Sequence, residues 1–262
     1  MKTPLTLVLV SALLLPCAVT AATNYNWTAY NDLYWFTNQW TDTNKVTYYT
    51  AEFSIPTNLP PGFALTQGGP LRDYNSGQAL QAYVTISGGG FGWEQGQNPS
   101  GGTPAAPYFN GIIDCLGFVD YNTNTFILRF TNLNPKTTYE FVAYGDRNNP
   151  DYYATRWTWM SITDVVAFVN ESSDTNHFGG PTDPTTAARF GYNNTSGEVV
   201  RFTGIKTGPD GDFSIVTPYD SNLGQIERYY VNAFMIREVP EPAAIIILGL
   251  GTVLFGLRRR RR

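Results

Sequence analysis

The stretch Thr125 to Phe130 alternates cleanly: Phe126, Leu128 and Phe130 point one way, Ile127 and Arg129 the other. A period of two marks a strand with one buried face. Runs rich in Val, Ile, Tyr, Phe, Trp and Thr also cover Val46 to Ile55, Leu80 to Ile86 and Tyr139 to Tyr144. Others cover Arg156 to Phe168, Glu198 to Ile205, Phe213 to Val216 and Tyr229 to Ile236. Turn residues separate the runs, as in Pro56-Thr57-Asn58-Leu59-Pro60-Pro61-Gly62 and Leu133-Asn134-Pro135-Lys136. Apolar positions at helical spacing are nearly absent. The pattern predicts about eight or nine strands in an all-β antiparallel sandwich. The connections Gly88 to Pro107 and Asn170 to Asn194 are expected as loops. With no repeat and no internal linker, one domain is expected over residues 23–238, with an extension up to about Asp42 packed on its edge.

The two ends of the chain break this pattern. Lys2, the apolar run Leu5 to Leu15 and the small residues Ala18 to Ala22 have the order of a secretory signal peptide, residues 1–22. Signal peptidase is the partner this implies, cutting after Ala21 or Ala22. Pro16 stands before Cys17 where a lipoprotein box carries a small residue, so lipidation is not expected. Cys115 is then the one thiol of the body and, in its apolar setting, is expected to be buried and inert. At the other end, Val239-Pro240-Glu241-Pro242 leads into Ala243 to Leu257, which carries no charge, and then into Arg258, Arg259, Arg260, Arg261 and Arg262. A helix over 243–257 is about 22 Å long. It crosses a bilayer if the arginines snorkel or the membrane thins. The arginines orient it with the tail in the cytoplasm and the body outside.

The order Pro-Glu-Pro, short apolar helix and arginine cluster over residues 239–262 strongly resembles the PEP-CTERM sorting signal. In that family an exosortase, a membrane-embedded cysteine protease, recognises the Pro-Glu-Pro element and removes the helix. The resemblance implies that Pro240, Glu241 and Pro242 are the recognition residues. It also implies a membrane-tethered precursor and a product delivered to the cell surface or an extracellular polysaccharide matrix. Two prolines suit that role, because they hold the strip extended and carry no helix through it. The alternative is a permanent anchor with a proline collar.

Phrases within residues 30–237 resemble a secreted jelly-roll, galactose-binding-like module. They are Tyr30-Asn31-Asp32-Leu33, Phe109-Asn110-Gly111 before Asp114, Leu133-Asn134-Pro135 before Tyr139, Tyr144-Gly145-Asp146-Arg147 and Asp210-Gly211-Asp212-Phe213. Such modules bind sugars or structural Ca²⁺, or serve as scaffold, and no ligand residue is carried over from them.

Charge and composition narrow the chemistry. The chain holds 17 Lys+Arg, 21 Asp+Glu and 1 His. Without both ends, Glu241 among them, the body at 23–238 carries about −9, which excludes nucleic acid as a partner. A single histidine, His177, excludes a His-rich metal centre, and no Gly-x-Ser-x-Gly elbow accompanies it. Gly88 to Gly92 lacks the Lys-Ser/Thr ending of a phosphate loop. Glu52, Glu94, Glu140, Glu171, Glu198 and Glu227 cannot be paired across a cleft from sequence, so no catalytic residue is assigned. No cofactor is expected beyond a structural Ca²⁺, whose candidate ligands are Asp210 and Asp212; an ordinary turn is the favoured reading there.

Six tryptophans and seventeen tyrosines exceed what a core this size requires. Sugar faces stack on such rings, while nearby charged groups bond hydroxyls. Arg147, Tyr152, Tyr153 and Trp93 are the candidate glycan contacts. Trp157 and Trp159, two apart, are expected to share one buried face. The function expected is a non-enzymatic, exported surface or matrix protein in contact with polysaccharide. A polysaccharide hydrolase is the alternative; ice binding is a second one, drawn only from families that share the tail.

Overall fold

The computed structural model describes residues 26–32, 67–87, 90–92, 96–113, 115, 118–121, 125–148, 157–174, 187–191, 193–217 and 229–240. Two antiparallel sheets face each other. Sheet A has the order β1 (Trp27–Asp32), β14 (Ala233–Val239), β7 (Thr138–Tyr144), β11 (Val200–Thr207) and β9 (Val165–Asn170). Sheet B has the order β10 (Ala187–Gly191), β8 (Trp157–Thr163), β12 (Phe213–Thr217), β6 (Phe126–Thr131), β3 (Ala79–Ser87) and β2 (Gln67–Arg72). A small sheet C joins β13 (Tyr229–Val231), β5 (Phe118–Tyr121) and β4 (Gly90–Gly92). Among the described residues the helix is one turn, α1 (Ala106–Phe109). The all-β antiparallel sandwich expected from the alternation is the observed fold.

Alternation on each strand builds the core. Phe126, Leu128 and Phe130 of β6 are all buried, while Arg129 between them is exposed. The Phe130 ring stacks on Phe213 of β12 at 4.9 Å within sheet B. Its edges meet Phe141 at 5.8 Å and Phe234 at 5.7 Å across in sheet A. Phe141 in turn stacks on Phe202 and Phe234, so one set of rings ties both sheets together. Edge and offset geometries of this kind add about 0.5–1.5 kcal/mol per pair to the burial itself. Tyr139 closes the β6–β7 connection: its hydroxyl donates to the Asn134 carbonyl at 3.0 Å and accepts from the Asn134 N–H at 2.7 Å. Burial raises the pKa of that phenol.

Sheet corners explain where the sequence pattern misleads. The run Arg156 to Phe168 is two strands, because the chain turns from sheet B to sheet A at Asp164, whose φ is 60°. A short polar side chain tolerates that left-handed conformation better than a branched one. Tyr229 to Ile236 likewise divides at Asn232, with β13 in sheet C and β14 in sheet A. The expected loops contain short regular elements: strand β4 falls in Gly88 to Pro107, helix α1 overlaps its end, and strand β10 falls in Asn170 to Asn194. Val46 to Ile55 lies outside the described residues.

Trp157 and Trp159 do share a face, but it is the outer one. Thr158, Met160 and Ile162 are the buried positions of β8, and the tryptophans are half-buried. The rings pack instead on Arg189 of β10, whose guanidinium lies 3.8 Å from the Trp157 centroid and 5.3 Å from that of Trp159. Arg189 Nε donates to Asp174 Oδ2 at 2.7 Å, with both side chains 4% exposed. A cation over a ring and a desolvated ion pair thus take the place of core burial for these tryptophans.

The ring set predicts a sharp ranking of variants. Phe130→Ala should cost about 3–5 kcal/mol and Phe130→Leu about 1–1.5 kcal/mol by denaturant unfolding. Equal losses for the two would show that volume at this position does not hold the sheets together.

Candidate functional site

The centre of sheet A is covered on both faces, which is why all but the first residue of β7 are buried, while its edge strand β9 is largely exposed. Its inner face meets sheet B. Over its outer face runs the segment around α1, where Ala105, Phe109, Ile113 and Cys115 pack on Val142, Tyr144, Val199, Ala233 and Met235. Phe109 stacks on Tyr144 at 5.8 Å and meets the edge of Tyr30 at 6.4 Å. Cys115 is buried there, as its apolar context predicts.

Beside this cap the outer face turns polar. Glu140 of β7 and Arg237 of β14 are directly opposite in the ladder. Glu140 Oε2 accepts from Arg237 Nε at 2.6 Å, and Oε1 accepts from Arg201 Nε of β11 at 2.8 Å. Arg201 also reaches Glu171 at 2.6 Å. A carboxylate this buried is costly without charged donors, and two arginines share the task. Burial opposes the charge on Arg201, but the hydrogen bond and charge of Glu140 outweigh it and raise its pKa.

Three tyrosines rim the network. Tyr74 meets Tyr30 edge-on at 5.1 Å, and the Arg201 guanidinium lies 5.9 Å from the Tyr108 centroid. Burial pushes the Tyr30 phenol up to about 12, with Arg237 pulling the other way, so it stays a neutral donor at ordinary pH. Half-buried rings thus lie beside paired guanidinium and carboxylate groups on one face of sheet A.

A second polar cluster lies at the far end of β7. Asp146 is 2% exposed, and its Oδ1 accepts the N–H of Asn148 at 2.8 Å and of Asn194 at 3.0 Å. Its own N–H donates to Asn232 Oδ1, and its carbonyl accepts from the Gln97 N–H at 3.1 Å. The Tyr144 hydroxyl donates to the Gln97 carbonyl at 3.1 Å. Asp146 therefore joins the end of β7, the 193–198 turn, the strip before α1 and the β13–β14 corner. These bonds stay within the chain, so the cluster reads as a structural junction.

The sequence-predicted residues fall in several places. Arg147 is buried, 9% exposed, beside Asp146, so it does not supply the accessible patch expected of it. Trp93, Tyr152, Tyr153 and His177 lie outside the described residues, as do Glu241, Pro242 and Arg258 to Arg262. Pro240 directly follows β14. Asp212 pairs with Arg129 at 3.0 Å, and Asp210 Oδ1 accepts the Asp212 N–H at 3.4 Å. The two carboxylates are thus engaged within the turn and with β6. Among the described residues no group of three or more His, Cys, Asp or Glu could hold a metal ion.

The residues that sequence reasoning missed are Tyr30, Tyr74, Tyr108, Arg201 and Arg237. Glu140 and Arg237 each interrupt an apolar strand run, which is a signal that a buried partner must exist. The partner, 97 positions away in the Glu140–Arg237 bond, is set by sheet order.

Residues 238–262 match the family described as PEP-CTERM protein-sorting motif. That match marks an exported chain, held as a membrane-anchored precursor and sorted by an exosortase. Among the described residues no helix is long and apolar enough to cross a membrane, and the predicted helix over 243–257 lies outside them. Comparison with curated proteins and with solved structures finds no match.

The Asp146 junction gives a pH-dependent test. Burial raises this carboxyl's pKa, and the Asn148 and Asn194 N–H groups only partly offset it. A raised acid contributes stability that is full below its ordinary value and lost as pH rises through the folded value. Asp146→Asn keeps the Oδ1 acceptor without the charge, so it should match or exceed the parent in Tm at pH 7. That gain should shrink as pH falls toward about 4. Asp146→Ala strands two N–H donors and should cost about 1–3 kcal/mol. An Asn variant less stable than the parent at neutral pH would show that the charge itself supports the fold.

Proposed function

We propose that this chain is a non-enzymatic β-sandwich protein delivered by the exosortase route to the cell surface or extracellular polysaccharide matrix, where its body contacts glycans. The observation that carries the reading is the sorting-motif match at residues 238–262, which begins inside the last strand of the sandwich. The domain is therefore the cargo of that signal. Removal of the arginine tail leaves an acidic, soluble body.

Support for glycan contact comes from the outer face of sheet A. Tyr30, Tyr74 and Tyr108 offer ring faces and hydroxyls, and Arg201, Arg237 and Glu171 offer charged hydrogen-bonding groups beside them. The net charge of the Glu140, Arg201, Arg237 and Glu171 set is near zero, which favours neutral sugar hydroxyls over strongly anionic ones. Signal peptidase and exosortase are the processing partners of this reading, and polysaccharide is its partner after release. Structural Ca²⁺ is not required by it.

Two measurements test the proposal. Intact-mass analysis of the protein from its native host should show a species lacking Ala243 to Arg262. Retention of Arg258 to Arg262 in the mature protein would make the tail a permanent anchor. On a glycan array the body should bind neutral polysaccharide fragments, and Tyr74→Ala with Tyr108→Ala should weaken that binding about tenfold. Tenfold is about 1.4 kcal/mol, near the low end for two rings worth about 0.5–1.5 kcal/mol each. Binding that is unchanged in the double variant would remove this face from the reading.

A further inference from the structure

The tail leaves the sandwich from the middle of a sheet. β14 lies between β1 and β7 and is hydrogen-bonded along both edges, with Trp27 opposite Glu238 on one side and Thr138 opposite Val239 on the other. The last turn of the ladder is fastened by side chains: Thr138 Oγ1 donates to the Val239 carbonyl at 3.2 Å, and Thr137 Oγ1 donates to Glu238 Oε1 at 2.8 Å. Only Pro240, Glu241 and Pro242 separate Val239 from the apolar segment that starts at Ala243. Fully extended, that step spans about 14 Å.

Two turns share this pole with the exit. The β6–β7 connection places Asn134, Pro135 and Lys136 in solvent next to Thr138. The β11–β12 turn is bonded to it through the Leu133 N–H and the Gly211 carbonyl at 3.0 Å. At the other end of β7, about 23 Å away along the strand, Asp146 holds the Asn194 N–H, and Thr195 of that turn is exposed.

We infer that the precursor stands pole-down on the membrane, with the Thr138–Val239 end and the Lys136 turn against the lipid surface, and that the fold itself limits the strip a protease can take to Pro240 onward. This rests on the sorting reading. The short tether gives the body no room to turn over, and a strand paired on both edges cannot enter a protease cleft without unzipping sheet A. Recognition of an extended strip by a cleft needs a free edge, and up to Val239 the chain is bonded into sheet A.

The test uses residues 23–262, the precursor after signal-peptide removal, in which Cys115 is the one thiol and is buried. A fluorophore is placed at Lys136→Cys or at Thr195→Cys, and the protein is reconstituted in phosphatidylcholine–phosphatidylglycerol vesicles carrying a nitroxide on the lipid headgroup. The label at 136 should lose about half its emission or more, and the label at 195, farther by about a strand length, should keep nearly all of it. Equal or stronger quenching at 195 overturns the orientation. Chain that floats with vesicles but shows no quenching at either label overturns it too, while the anchor reading stands. Chain that does not float with vesicles removes the anchored precursor, and the inference with it. In protein matured by its native host, a C-terminus within residues 233–239 overturns the boundary.

Discussion

Phe130 touches both sheets, stacked on Phe213 in its own and edge-on to Phe141 and Phe234 in the other. Rings set this way bring β6 and β12 over β7 and β14, and the rest of the strand order follows outward from those four. Because β7 and β14 lie under the ring set on one side and under the α1 segment on the other, hardly any of their residues face water. Every polar group on them therefore needs a partner inside the protein.

Glu140 meets that demand with two arginines from neighbouring strands, and Asp146 with backbone N–H groups. The two solutions differ in consequence. Guanidinium partners keep Glu140 in a half-open network that reaches the surface through Arg201 and Glu171. Neutral amides leave Asp146 poorly compensated for burial, and its pKa rises. The first arrangement carries charge from the buried strand to the surface, while the second locks four segments together. Arg189, held between Asp174 and two tryptophans, is a third variation on sheet B.

β14 links the body to its delivery. The strand that carries Phe234 and Ile236 into the core also carries Glu238 and Val239 into the matched sorting motif. The last strand of sheet A and the start of the matched motif are thus the same segment. The last apolar residue that this strand gives to the core is Ile236, ahead of the matched motif.

Strand composition and alternation were enough to read β3, β6, β7, β11 and β12 and the sandwich they form, because a half-buried strand needs period two wherever it lies. Pro240-Glu241-Pro242, the apolar run and the arginines were equally legible, because a sorting signal must work as a linear strip. The corners at Asp164 and Asn232 were not legible. A chain that switches sheets keeps β-type residues on both sides of the switch, and only the partner strand defines the break. Short β4 and β10 were hidden because three and five residues are too few to show a period of two. The tryptophans of β8 were assigned to the wrong face because alternation gives two faces without saying which is inside. The tyrosine and arginine surface on sheet A exists only where β1, β7, β11 and β14 lie side by side. Sequence determined which residues could sit on a sheet, and the order of strands decided which of them meet.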